Sequence, residues 1–386
     1  MLRYLTSGES HGPCLTAVID GLPSGLRLTA EAINKDLARR QVGYGRGKRM
    51  DIEKDRVEIF SGVRFGKTLG TPVTLLIHNL DWPNWQQKMN AAPAGKNPAA
   101  SITQPRPGHA DLPGAMKYDH KDIRNVLERA SARETTTRVA VGAVCRAFLD
   151  SMGIQVMGSV TEIGGIKIPC SNIDLKTRFR LAEKSDLRCS CPATEKKIMA
   201  LIDSCRVNGD SLGGVFEVAA TGLPVGLGSY SQPDTRLDGR LAQAVMSIQA
   251  IKGVEIGLGF ESARASGSRV HDEIFYSENK GFYRKANNAG GIEGGISNGE
   301  PLLLRAAMKP IATLYTPLRS VDIITKKPVK AAVERSDICR VPSAAVIGEA
   351  MVAIELTKIF LEKFGGDSMR EIAKNYKAYT THINSF

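Results

Sequence analysis

Residues 1–28 read as a strand, a glycine-rich turn and a second strand, with β-type residues in "LTAVIDGLPSGLRL" flanking a Gly-Leu-Pro turn. "TAEAINKDLARR" opens on Thr29, a capping residue, and predicts a helix ending near Arg40. The glycine-broken basic loop "QVGYGRGKRM" follows. "DRVEIFSGVRFGKTLGTPVTLLIHN" predicts strands and turns, closing on the apolar run Val73–Ile77. From Asp81 to Pro107 the chain is rich in Pro, Asn, Ala and Gln, the pattern of a long loop. Ser131-x-x-Glu134 is a capping-box pattern, and the apolar run behind it reaches about Leu149 before Gly153. "VPSAAVIGEAMVAIELTKIFLEKFGG" is apolar on most faces. Helices apolar nearly all round are buried, so these two predict the centre of the fold. "RLAQAVMSIQAIKG" reads as a third such helix, and "GGVFEVAATGLPVGLG" and "PLLLRAAMKPIATL" as strands. Strands and helices do not alternate regularly, which favours α+β over a doubly wound parallel sheet.

Composition adds little to this picture. The chain has 386 residues, 42% hydrophobic and 24% charged, as in ordinary globular proteins. "MLRYLTSGES" lacks the apolar core of a signal peptide, and no stretch approaches the ~20 apolar residues of a membrane span. A cytoplasmic protein with no membrane partner is expected. Seven cysteines are scattered, with only Cys189 and Cys191 close, so neither a disulfide framework nor a zinc ribbon is indicated. The net charge of +12 changes more. Aromatics are only 6%, and the basic clusters alternate with glycine rather than with stacking rings. That favours an anion held in a pocket over nucleic acid.

Nucleotide fingerprints fail. No G-x-G-x-x-G occurs, and "GVRFGKT" (62–68) is one residue short of a phosphate loop, which leaves a turn between strands. "GESHG" (8–12) places Ser10 and His11 at a turn between strands, either as turn residues or as an exposed acid or base. Arg39, Arg40, Arg46, Lys48 and Arg49 fall within twelve residues, either as a solvated surface or as forks for phosphate and carboxylate. "RASARETTTR" sets Arg129, Ser131 and Arg133 at a helix start, where free N–H groups favour anions. "ERSDICR" sets Arg335 and Asp337 at the start of a buried helix. "QPRPGHAD" presents His109 from a proline-held loop, a better place for a ligand contact than for a core histidine. No HExxH, triad order or EF-hand loop is present, and no histidines pair at metal spacing, so no metal is expected.

Together, "GESHG", "RRQVGYGRGKRM", "SGVRFGKTLGTPV", "RPGHAD", "RASARET", "KGVEIG", "NAGGIEGGISNG" and "RSDICRVP" resemble chorismate synthases, in order, from residue 3 to about 365. Ala130 stands where the family more often has serine. "DLRCSCP" (186–192) matches no family motif, and the tail after about 366 lies outside the resemblance.

The resemblance implies one domain over 1–386, with central helices sandwiched between antiparallel sheets, assembled as a homotetramer. It implies conversion of 5-enolpyruvylshikimate 3-phosphate to chorismate by anti-1,4-elimination, with reduced FMN and no net redox change; NADPH is a possible flavin reductant. Ser10, His11, Arg40, Arg46, Arg49, Arg106 and Arg133 resemble the substrate shell, with Arg40 and Arg46 also linked to NADP. Arg129, Ala130, Ser131, Gln249, Ala250, Gly294, Lys309, Pro310, Ile311, Ala312, Thr313 and Arg335 resemble the FMN shell. His11 resembles the acid that protonates the departing phosphate. His109 resembles the histidine beside the flavin, where a proton or positive charge supports the reduced ring. Asp337 resembles the carboxylate near flavin N5 that assists proton removal. Four anionic groups in one site supply a reason for the positive charge. The rival readings are another flavin-dependent oxidoreductase and a nucleic-acid-binding protein explained by charge alone.

Overall fold

The structure, a computed structural model, describes residues 1–47, 52–93, 100–169, 173–334 and 336–386. One antiparallel sheet holds β1 (Arg3–Ser7), β2 (Cys14–Asp20), β3 (Val57–Ser61) and β4 (Val73–His78) in the order β1-β2-β4-β3. Leu15, Ala17 and Ile19 of β2 lie opposite Ile77, Leu75 and Val73 of β4, and all six are buried. Alternation of side chains along each strand puts them on one inward face. A second antiparallel sheet holds β5 (Gln155–Ile163), β6 (Ile166–Lys167), β7 (Gly214–Thr221), β8 (Ile251–Ile256) and β9 (Leu302–Met308), ordered β8-β9-β7-β5-β6.

The helices used below are α1 (Ala30–Gln41), α2 (Asp111–Tyr118), α3 (Arg124–Ala130), α4 (Thr135–Ser151), α5 (Leu237–Met246), α6 (Val341–Phe364) and α7 (Met369–Asn384). α4 packs on the first sheet, α6 on β5 and β7 of the second, and α4 on α6, so helices fill the space between the sheets. The α4–α6 approach depends on Gly142: a methyl there would lie 2.3 Å from the Ala350 Cβ. Glu349 puts a charge into the apolar stretch of α6. Fully buried, it ion-pairs with Arg39 of α1 (2.7 Å), Arg188 (3.0 Å) and Arg146 of α4. Burial alone would raise its carboxyl, but the three guanidiniums hold it down at about 2.

Two expectations change. The stretch 240–253 is not one buried helix: α5 stops at Met246, and β8 begins at Ile251. Only Leu237, Leu241 and Val245 of α5 are buried, one face at a spacing of four, and Ala250 turns the chain at φ +69°. The capping box is half formed. Ser131 Oγ accepts from Arg133 N (3.3 Å), but Glu134 bonds Arg138 (2.9 Å) and Gln249 (3.1 Å), and α4 starts one residue later. The tail is ordered as α7, with Ile372 buried and the Tyr376 ring edge-on to Phe360 (5.0 Å) and Phe364 (5.1 Å).

Candidate active site

The turn between β1 and β2 carries Ser10 and His11. α3 binds it from below: Glu128 accepts from the Ser10 N–H through its carbonyl (3.0 Å) and from the His11 N–H through its carboxylate (2.7 Å). The same carboxylate meets His11 Nδ1 at 2.9 Å, and the Trp85 ring stacks on the imidazole at 3.8 Å. Arg129 donates to the carbonyls of Thr6 (2.9 Å) and Gly8 (3.2 Å), and Ser131 Oγ donates to Ser10 Oγ (3.1 Å). Ser10, His11, Arg129, Ala130 and Ser131 therefore form one patch.

Next to it lies a cluster of arginines. Arg133 pairs with Asp55 (2.5 Å) and donates to Asn79 Oδ1 (2.9 Å); Asn79 in turn donates to the Gly12 carbonyl (2.8 Å) at the His11 turn. Arg40 donates to Thr135 Oγ1 (2.9 Å) and the Ala132 carbonyl (3.0 Å). Arg46 donates to the Arg40 carbonyl (3.4 Å) and faces Asp337 (3.5 Å). Burial pushes Arg40 down to about 9, and Arg133, Arg46 and Arg340 add repulsion that Asp55 only partly offsets. Burial likewise pushes Arg46 down, to about 10. Crowded, buried positive charge of this kind is relieved by an incoming anion. Arg49 and Arg335 lie outside the described residues.

Asp337 closes this cluster. Its carboxylate accepts from the Gly47 N–H (2.5 Å) and pairs with Arg46 and Arg340. Burial opposes its charge, yet Arg340 and Arg46 hold the carboxyl down at about 2. Asp337 thus belongs to a buried ion-pair cluster and not to the surface.

His109 sits on a separate wall. Its Nε2 lies 3.2 Å from Thr313 Oγ1, and Lys309 Nζ donates to the Gly108 carbonyl (2.6 Å). Gly108 has φ +77°, and a methyl there would lie 2.9 Å from the Ala312 Cβ, so only glycine lets the loop lie against 309–313. Arg106 grips Asp111 with two hydrogen bonds (2.8 and 3.0 Å). Burial, and then Arg106, push His109 below its ordinary value. This disfavours the imidazolium, and Lys309 and Arg106 supply the fixed positive charge of this wall.

A narrow hollow of about 20 Å³ beside the arginine cluster is lined by Ala132, Thr135, Gln249, Met308, Arg340 and Ser343. Gln249 Oε1 is buried there without a hydrogen-bond partner. An unmet buried acceptor is costly, and it fits the ring N–H of a bound flavin. Ala250 accepts from the Lys309 N–H (2.9 Å), which ties Gln249 to the 309–313 segment. Gly294 stands apart, on a hairpin turn whose carbonyl accepts from Arg236 (3.3 Å). A larger hollow of about 370 Å³ near His271 and Asp272 contains none of these candidates, and its Asp272 is already bonded to the backbone of Asn288 and Ala289. Among the described residues, no cluster of three or more His, Cys, Asp or Glu could hold a metal.

The family model described as chorismate synthase matches residues 2–361. The chain belongs to the chorismate synthase family. It is therefore an enzyme, a carbon–oxygen lyase of the chorismate synthase type. Chorismate synthases of Geobacter sulfurreducens and Geobacter metallireducens are each 60% identical to it, over the full length of both chains. That of Desulforudis audaxviator is 57% identical over 100% of this chain and 99% of its own. A crystal structure of chorismate synthase superposes with TM-score 0.82 at 46% identity, covering 100% of this chain and 99% of the other. The relatives thus align through α7, beyond the motifs legible in the sequence. The chorismate synthase motifs account for His11, His109, Asp337 and the arginines. They did not point to Glu128, Trp85 or Asp55. Trp85 left one signal: it is one of only two tryptophans, inside a polar loop.

Proposed function

We propose that this chain converts 5-enolpyruvylshikimate 3-phosphate to chorismate with reduced FMN bound beside the arginine cluster. The observation that carries the reading is the buried arginine cluster, Arg40, Arg46 and Arg133, beside His11. A substrate with one phosphate and two carboxylates would suit these guanidiniums, which now share Glu53, Asp55 and Asp337. His11 gives a proton to the phosphate oxygen as the carbon–oxygen bond breaks. Asp337 is the anionic carboxylate available for the ring proton. Pairing makes it a weak base, and substrate carboxylates that draw Arg46 and Arg340 away would strengthen it. Arg129, Ala130, Ser131, Gln249, Ala250 and Lys309–Thr313 would hold the flavin, whose reduced ring supplies electron density during the elimination. His109, neutral, would offer it a hydrogen bond, and Lys309 the charge.

A single domain, a homotetramer, a cytoplasmic location and NADPH as a possible flavin reductant belong to the same proposal. One continuous hydrophobic core supports the first. Among the described residues, no helix is long and apolar enough to cross a membrane. The test is anaerobic turnover with dithionite-reduced FMN, and in parallel with oxidised FMN plus NADPH, on a sample whose mass is read by sedimentation. Chorismate and phosphate should form in equal amounts, without net flavin oxidation, from a tetramer. Absence of product with reduced FMN would discard the reading, and an active monomer would discard the assembly.

A further inference from the structure

His11 is gripped on two sides by side chains that the proton-transfer reading does not use. The Glu128 side chain is 1% exposed, and burying a carboxylate is costly unless polar groups meet it. They do: the His11 N–H donates to Oε2 at 2.7 Å, and His11 Nδ1 lies 2.9 Å from Oε1 and 3.1 Å from Oε2. Arg124 stands 3.9 Å away. A carboxylate only accepts, so the proton between them belongs to Nδ1. Nε2 has no hydrogen bond to any described residue.

The ring plane is fixed from the other side. Trp85 stacks on the imidazole at 3.8 Å with 21° between the planes. Trp85 is itself held, with Nε1 donating to Asp81 Oδ2 (2.9 Å) and with Arg124 (5.3 Å) and Lys88 (5.0 Å) over its indole. Arg124 thus touches both members of the grip, on α3 and on the loop from 81.

We propose that Glu128 and Trp85 are positioning residues for His11. Glu128 fixes the Nδ1–H tautomer, Trp85 fixes the plane, and Nε2 is left as the atom that trades a proton with the substrate. The inference rests on the reading of His11 as the acid for the departing phosphate. In that step the Nε2–H proton passes to the phosphate oxygen, which keeps the electron pair of the broken carbon–oxygen bond. The ring ends neutral with its remaining proton on Nδ1, where the Glu128 carboxylate receives it. A carboxylate that orients a proton-transferring imidazole is a general arrangement, and its loss harms catalysis chiefly through the wrong tautomer.

The rival account is that Glu128 merely ties the β1–β2 turn through the His11 backbone N–H. Imidazole ¹⁵N spectroscopy of the full chain separates the two, with the His11 signals assigned by their loss in His11→Asn. The wild-type neutral ring should show the Nδ1–H pattern. Glu128→Gln and Glu128→Leu should shift it toward Nε2–H. Turnover should fall by ~10- to 10²-fold, more in Glu128→Leu, while KM and flavin affinity stay within about twofold. Trp85→Ala should lower turnover ~10-fold, and Trp85→Phe should restore it. Should Glu128→Leu not fold, the isosteric Glu128→Gln decides. An unchanged ¹⁵N pattern in a folded Glu128 variant overturns the proposal whatever the rate, as do rates within twofold of wild type. The spectrum needs no turnover, so a wild-type chain that made no chorismate would discard the function and leave the tautomer separately decided.

Discussion

Asp337 keeps its negative charge at neutral pH because two guanidiniums and a backbone N–H outweigh the cost of burying it. His109 stays neutral because burial and Arg106 disfavour its cation. The two should therefore fail differently. On the proposed function, Asp337→Asn keeps the shape and removes the base, so FMN should still bind while turnover falls by ~10²–10⁴-fold. A group whose value is lowered works as the neutral species above that value. The acidic limb that His109 contributes to the rate profile should therefore lie below pH ~6.5, and His109→Ala should remove it. Anaerobic turnover from pH 5 to 9 with excess reduced FMN, beside a flavin titration, checks both. Wild-type rates in Asp337→Asn would take that carboxylate out of the chemistry, and an intact acidic limb in His109→Ala would assign the limb elsewhere.

At the level of elements, the α4–α6 crossing decides where the site lies. The site residues flank the starts of both helices: Arg133 and Thr135 at α4, Asp337 and Arg340 at α6. Their separation is set where the helices touch, at Gly142 and Ala350. Helix propensity alone would make Gly142→Ala stabilising by up to ~1 kcal/mol. Packing wins here, because the added methyl would lie 2.3 Å from one Ala350 atom and 2.5 Å from another, on backbone that cannot swing away. Gly142→Ala should cost a net ~1–3 kcal/mol, read by urea denaturation. A variant as stable as wild type would show that the helices slide apart freely.

For the whole molecule, the buried Glu349 centre joins α1, α4 and the residues around Arg188. Its carboxyl is held at about 2, below the ordinary 4.5. A depressed carboxyl contributes stability that is full above the unfolded value and is lost as pH falls through the folded one. Stability should drop by ~3 kcal/mol between about pH 5 and pH 2 on account of this group. Glu349→Gln should already lose ~3 kcal/mol at pH 7, since it removes the buried carboxylate that three guanidiniums share and leaves them only Asp36 and Glu183, and should show a flatter acid dependence. Denaturation of both proteins at pH 7 and at pH 3.5 tests this, and parallel acid curves would refute it.

The sequence alone determined the α+β class, the two buried helices and most strand positions, and through the family motifs it nominated His11, His109 and Asp337 as site candidates. Those features are local: an alternation of period two, an apolar helix of 24 residues, a run of glycines and arginines. What faces what was decided only in the folded chain. Glu128 lies 117 positions from His11, and Asp55 lies 78 from Arg133. A carboxylate reads the same in sequence whether it faces solvent or a buried imidazole. The end of α5 at Met246 was hidden for the same reason. Ile248 and Ile251 continue the apolar pattern, but they pack as a turn and an edge strand because β9 stands beside them to pair with. Hydrophobic pattern sets which residues leave water, and only the assembled sheets and helices set which polar groups must answer one another once inside.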